Sequence, residues 1–74
     1  MGPSVLSEYL VIIEGSGDSF SAFAPDLPGC VAAGDSPEEV EQLMAEAIAL
    51  HIDSLRSHGE PVPRPQSAAR YVAV

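Results

Sequence analysis

Residues 19–40, SFSAFAPDLPGCVAAGDSPEEV, contain two predicted strands, the turn between them and the start of a helix. Ser19 to Ala24 follows a glycine-rich turn and is predicted to be the second strand of a hairpin. Two prolines and a glycine between Pro25 and Gly29 are incompatible with regular structure, and the run from Cys30 to Ala33 predicts a short third strand. This stretch therefore predicts two strands joined by a constrained turn.

The helix that follows has clear signals at both ends. Ser36 occupies the predicted N-cap, Pro37 the first helical position and Glu39 the third, which is the pattern of a capping box. Gly59 is predicted to stop the helix after about 22 residues. Apolar side chains recur at spacings of three and four and predict one buried helical face; they are Val40, Leu43, Met44, Ala47, Ile48 and Leu55.

The flanking segments complete the order of elements. Glu8 to Glu14 (EYLVIIE) is β-branched and aromatic and predicts a strand that enters a tight turn at residues 15–18. Glu60 to Pro65 alternates proline and predicts an extended spacer. Ala69 to Val74 (ARYVAV) predicts a fourth strand. Residues 1–7 carry no pattern and are expected to be a loose leader.

The order β-β-β-α-β predicts an α+β fold, in which one long helix covers one face of a small, mainly antiparallel sheet. Residues 8–74 form one domain in this interpretation, and the first strand becomes central if the fourth pairs beside it. Leu10 and Ile12 then face away from the helix, so self-association or a protein partner is expected to bury them. The alternative is that the leader and loops cover them. The predicted oligomer interface comprises Leu10, Ile12, Tyr71 and Val72.

Composition narrows the classes of function. The chain has 74 residues, 11 of them acidic and three of them arginine, and its net charge is −8. Nucleic-acid and anionic-lipid binding both depend on basic side chains, so neither is expected. A basic protein partner fits this charge, although an acidic surface also serves solubility alone. One cysteine and two histidines predict no disulfide within the chain, no metal site and no cofactor.

The sequence also predicts a cytoplasmic protein. Its longest apolar run, Tyr9 to Ile13, is far shorter than the roughly 20 residues of a membrane-spanning helix. The start, Met1 to Ser4, lacks the cationic and apolar regions of a signal peptide.

The strand EYLVIIE, the run ending in PDLPGC and the helix opening SPEEV together resemble the HicB-like antitoxin family, as does the GEPVP sequence at residues 59–63. The resemblance covers Glu8 to Pro65. It implies a partial ribonuclease H-like fold without nuclease activity, assembled as a homo-oligomer (dimer or tetramer). It also implies a partner: a small basic HicA-type toxin that cleaves mRNA.

Many members of that family carry a second, DNA-binding domain. This sequence stops at Val74, so a short stand-alone member without DNA binding of its own is expected. The alternative function is an orphan homo-oligomeric domain of the same fold, with no toxin partner and no catalysis. An enzyme is not expected, because two-metal nuclease chemistry needs converging carboxylates and the first strand offers only Glu8 and Glu14, at its ends.

Residue type and position in the predicted elements also predict roles for individual residues. Asp26 either pairs with a cation of the partner or caps its own turn. Phe20 and Phe23 should point to opposite faces of the second strand, one into the core and one toward a partner. The predicted partner-binding residues are Asp26, Leu27, Phe23, Glu14 and Asp18. The predicted structural residues are Pro25, Pro28, Gly29, Cys30, Ser36 and Gly59, with Cys30 as a small buried side chain rather than a nucleophile.

Overall fold

A computed structural model describes residues 8–74. It contains three strands, β1 (Ile12–Ser16), β2 (Ser19–Phe23) and β3 (Val31–Gly34), followed by one helix, α1 (Pro37–Ser57). The strands form an antiparallel sheet in the order β1-β2-β3. The helix packs on one face of this sheet, so the predicted α+β arrangement is confirmed.

The strand register divides the side chains between two faces. Ile13, Ala22 and Ala32 lie side by side across the three strands on the face toward α1, which we call the near face. Cross-strand partners share a face and neighbours along a strand alternate. The opposite face, which we call the far face, therefore carries the next residues along each strand: Ile12, Glu14, Ser21, Phe23, Val31 and Ala33.

The turn between β2 and β3 has the geometry that its prolines and glycine predict. The Leu27 amide donates to the Ala24 carbonyl, and the Cys30 amide donates to the Leu27 carbonyl, each over 3.1 Å. Gly29 has a φ of 86°, which a type II turn requires at its third position and which only glycine adopts without strain. The constrained turn predicted between the two strands is thus a type II turn at Pro28-Gly29.

The N-terminus of α1 is capped on both sides. The Glu39 amide donates to Ser36 Oγ over 3.1 Å, which confirms Ser36 as the N-cap. Glu39 Oε1 in turn accepts from the Asp35 amide over 2.6 Å, one residue earlier than in the usual capping box.

The C-terminus of α1 ends in a Schellman motif. The Glu60 amide donates to the Leu55 carbonyl over 2.8 Å, and the Gly59 amide donates to the Arg56 carbonyl over 3.1 Å. Gly59 has a φ of 68°, the left-handed conformation that this motif needs. The predicted helix stop at Gly59 is confirmed.

The core lies between α1, the near face and the β2–β3 turn. Leu27, Val40 and Met44 are fully buried, and a side chain of this size contributes roughly 1.5–3 kcal/mol when it leaves water. Cys30 is also buried, as predicted, and burial raises the pKa of its thiol. The remaining buried residues are Ala22 and Ala24, and those packed around them are Tyr9, Val11, Phe20, Ala32, Ala47 and Ile48.

The first strand starts later than predicted. Its ladder with β2 begins at the Ile12–Phe23 pair, because the next residue of the chain that would bond toward β1 is Pro25, which has no amide hydrogen to donate. Residues 9–11 consequently have no strand beside them within the described chain.

The prediction of a fourth strand was wrong for the sheet of the single chain. Residues 60–74 have no helix or strand, and β1 is an edge strand rather than a central one. A strand forms only where a neighbouring strand accepts its hydrogen bonds, and residues 69–74 have none within residues 8–74. The predicted leader, residues 1–7, lies outside the described residues, and the relation to ribonuclease H stays a prediction.

Candidate functional site

The far face of the sheet exposes a row of apolar side chains. Ile12, Phe23 and Val31 are cross-strand neighbours there, with Phe23 39% and Val31 65% exposed. The single helix covers only the near face, where Phe20 packs against the core. Phe20 and Phe23 therefore occupy opposite faces of β2, as predicted. The row is a surface on which an aromatic anchor could contact a partner.

A carboxylate lies next to this row. Glu14 is two residues along β1 from Ile12, on the same face, and is exposed opposite Ser21. Asp18 is exposed in the turn that joins β1 to β2. Of the predicted partner-binding residues, the structure thus brings Phe23 and Glu14 together on one face, with Asp18 at the turn beyond.

Leu27 does not belong to this surface. Its side chain is fully buried between the β2–β3 turn and α1, with no exposed area. Its predicted contact with a partner was wrong, because the turn folds back on itself through the 3.1 Å bonds at Ala24 and Cys30 and brings Leu27 into the core.

Asp26 has a role that neither sequence prediction included. Its Oδ2 accepts from the amides of Gln66 and Ser67, each over 2.9 Å, and its Oδ1 accepts from Ser67 Oγ over 2.9 Å. These bonds, first of all the one from the Ser67 amide, lower the pKa of the Asp26 carboxyl from its ordinary value. The carboxylate thus anchors the C-terminal segment to the β2–β3 turn, and the prediction that it caps its own turn was wrong.

A second anchor holds the same segment. The Tyr9 hydroxyl donates to the carbonyl oxygen of Pro63 over 2.6 Å. The tyrosine ring packs against the core, so this bond joins the start of the sheet to the segment that follows α1. The sequence offered no signal for either anchor, because the paired residues lie 40 or more positions apart.

Beyond these anchors the chain is exposed. Tyr71, Val72 and Val74 are 105%, 77% and 123% exposed, respectively. Two of the four residues predicted for self-association, Tyr71 and Val72, therefore make little contact with their own chain, whereas Leu10 and Ile12 are half-buried.

The described residues contain neither a cluster of metal-ligating side chains nor a membrane-spanning helix. Residues 8–74 contain no group of three or more His, Cys, Asp or Glu side chains that could hold a metal ion. Within the same residues, α1 is too polar to span a bilayer.

Comparison with known proteins assigns this architecture to a family. The family model described as the HicB-like antitoxin of bacterial toxin-antitoxin systems matches residues 9–74. The chain belongs to the HicB-like antitoxin family. The family match includes β1, the far face, both anchors and the exposed segment at residues 68–74.

Three relatives of this HicB-like chain share most of its length. A UPF0150 protein of Synechocystis is 41% identical over 63 residues, which are 84% of this chain and 80% of that protein. A UPF0150 protein of Thermoplasma acidophilum is 38% identical over 58 residues, 77% of this chain and 84% of that protein. An uncharacterized 14.9 kDa protein of Haemophilus phage HP1 is 33% identical over 64 residues, 86% of this chain but 48% of the phage protein. No solved structure gives a significant match.

Membership of this family supports an antitoxin role for the HicB-like chain. The far face presents an apolar row with an adjoining carboxylate at the protein surface.

Proposed function

We propose that this HicB-like chain is a cytoplasmic, non-catalytic antitoxin that neutralises a small basic HicA-type mRNA-cleaving toxin through its far face. The supporting observation is the far-face row of half-buried Ile12 and exposed Phe23 and Val31 beside the Glu14 carboxylate. Such a surface combines an aromatic anchor with a charge opposite to that of the toxin.

Charge supports the same partner. The chain carries a net charge of −8 and would attract a basic protein over a distance of about one Debye length, roughly 8–10 Å. Association with the toxin should therefore slow steeply as salt is added, whereas dissociation should depend mainly on the apolar row.

The first experiment is co-purification with the product of the adjacent gene. A stable complex with a small basic protein, whose RNA cleavage stops on binding, would support the antitoxin function. Glu14→Lys should then weaken the complex about tenfold or more, as expected when one partner of an interfacial charge pair is reversed.

Glu41→Lys is the matched control, because Glu41 is exposed on α1, on the other side of the sheet, and undergoes the same charge change. If Glu41→Lys weakened the complex and Glu14→Lys did not, the toxin would bind the helix and the far-face proposal would be wrong.

The second candidate function is an orphan homo-oligomeric domain with no toxin. The exposed apolar side chains of Tyr71 and Val72, together with Leu10 and Ile12, favour self-association in either case. An unrelated neighbouring protein, together with a discrete oligomer that elutes alone, would support this candidate over the antitoxin.

A further inference from the structure

The C-terminal segment extends away from its own domain. Tyr71 and Val74 have the accessibility of free side chains, and Val72 is 77% exposed. The radius of gyration is 14.0 Å, whereas a compact chain of this length is expected to have about 11 Å. The sequence from Arg70 to Val74 is nevertheless rich in aromatic and β-branched residues, which favour strands.

The sheet has an open edge of matching length. β1 pairs with β2 on one side only, and its other side faces no strand of the described chain. The backbone just before it, from Tyr9 to Val11, takes part in no strand ladder, and none of the backbone hydrogen bonds found in turns and loops of residues 8–74 involves it. Tyr9 and Val11 are half-buried, and buried backbone groups normally find partners.

The near face is also incompletely covered along this edge. Ile13 lies on the near face but is 38% exposed, because α1 packs mainly against β2 and β3. A strand added beside residues 9–13 would place alternate side chains next to Ile13 on the near face and next to Leu10 and Ile12 on the far face.

Charge indicates which molecule supplies that strand. Residues 64–74 contain Arg64 and Arg70 and no acidic residue, a net charge of +2. Residues 1–63 contain all 11 acidic residues and one arginine, a net charge of −10. The segment thus complements the body of this chain and would repel a basic toxin.

The last anchor leaves the end of the segment long enough to reach another molecule. Ser67 is held at Asp26, beside the β2–β3 turn, and the seven residues after it can extend about 23 Å. Residues 71–74 are exposed and contact little of their own chain, so they are free to meet the acidic body of a second copy.

We propose that two copies exchange their C-terminal segments, so that residues 70–74 of each pair as a strand with residues 9–13 of the other. The exchange is symmetric, since each copy offers one strand and one edge. It deepens the self-association described under the proposed function, and it leaves the far-face row at Phe23 and Val31 free for a toxin.

The mass of the full chain in solution tests this exchange. The wild type is expected to be a dimer or a dimer of dimers. The double variant Tyr71→Pro/Val72→Pro is expected to lose this dimer, because proline at consecutive positions removes strand N–H groups on both sides. Ala68→Pro is the matched control: it changes the same segment outside the strand and should keep the wild-type mass.

Hydrogen exchange separates pairing with a second copy from pairing within one chain. The amides of residues 71–73 should be protected in the dimer and lose protection on dilution to monomer. Protection that persists in the monomer would overturn the proposal, and so would a wild type that is monomeric at its highest soluble concentration.

A third variant distinguishes the other way of forming a dimer. If Phe23→Asp alone gives monomers while Tyr71→Pro/Val72→Pro keeps the wild-type mass, the copies associate through their far faces and the exchange is wrong. Toxin binding is measured independently, so failure of the exchange and failure of the antitoxin function give different results.

Discussion

The hydroxyl of Tyr9 donates a 2.6 Å hydrogen bond to the carbonyl oxygen of Pro63, which is 54 residues further along the chain. With the bonds from Gln66 and Ser67 to Asp26, it fixes the path of the proline-rich segment after α1. The stretch predicted to be a simple spacer is therefore attached at two points, within it at Pro63 and just after it at Gln66 and Ser67.

The first prediction concerns this tyrosine. Tyr9→Phe should lower the free energy of unfolding by about 1 kcal/mol, because the half-buried Pro63 carbonyl loses its donor while the ring keeps its packing. Denaturant unfolding followed by helix circular dichroism measures the change. Ser57→Ala, which removes an exposed hydroxyl at the end of α1, is the control and should change the stability by about 0.5 kcal/mol or less. Equal effects from the two substitutions would contradict the role of the Tyr9 bond.

The second prediction concerns the pH dependence of the Asp26 anchor. In the folded chain its carboxyl has a pKa below the ordinary value of 3.8, so the bonds it accepts are at full strength above pH 3.8. They are lost as the pH falls through the lowered pKa, when the carboxylate is protonated. Amide chemical shifts of Gln66 and Ser67 should change in that acid range and stay constant above it.

Asp26→Asn provides the control for this titration, because its amide side chain has no proton to gain in this range. The two amide shifts should then be flat with pH. A midpoint above pH 3.8 in the wild type, or the same titration in Asp26→Asn, would show that another group controls the segment.

The third prediction concerns the core. Met44→Ala should destabilise the chain by about 2–5 kcal/mol, because Met44 is fully buried and truncation leaves a cavity. Leu50→Ala on the same helix should change the stability by about 0.5 kcal/mol or less, since Leu50 is 70% exposed. The two variants are compared by the denaturant concentration at the midpoint of their unfolding. A larger effect at Leu50 would indicate that an assembly, rather than this core, buries the helix.

The fourth prediction concerns the single thiol. Cys30 is buried and its thiol has a raised pKa, so it should react with a disulfide reagent only when the chain opens. The labelling rate should therefore increase with denaturant, in parallel with unfolding. In a Cys30→Ala background, a thiol introduced by Ala33→Cys on the exposed far face should react as fast as in a short peptide. A native Cys30 that reacts equally fast would contradict the burial.

Local signals in the sequence predicted local geometry well. The pairing of Ser36 with Glu39, the turn at Pro28-Gly29 and the helix stop at Gly59 each depend on a few adjacent residues, and each is present. The alternation along β1 likewise assigned Ile12 to the face away from the helix. These features follow from backbone conformations that particular residue types prefer.

Long-range relationships were missed because no local pattern encodes them. Asp26 is as suitable for capping a turn as for holding Ser67, and only the fold brings the two together. Leu27 was predicted to contact a partner, yet the turn directs it into the core. Val72 has strand propensity, but propensity does not provide the neighbouring strand that a ladder requires.

The bond between Tyr9 and Pro63 has a consequence for the order of events during synthesis. The ribosome adds Pro63 only after it has synthesised the hairpin and α1, so the Tyr9 hydroxyl has no acceptor until most of the chain has been made. Contacts this distant along a chain also slow folding, since a long loop must close first. The hairpin can therefore form early, whereas the attachment of its first residues completes late.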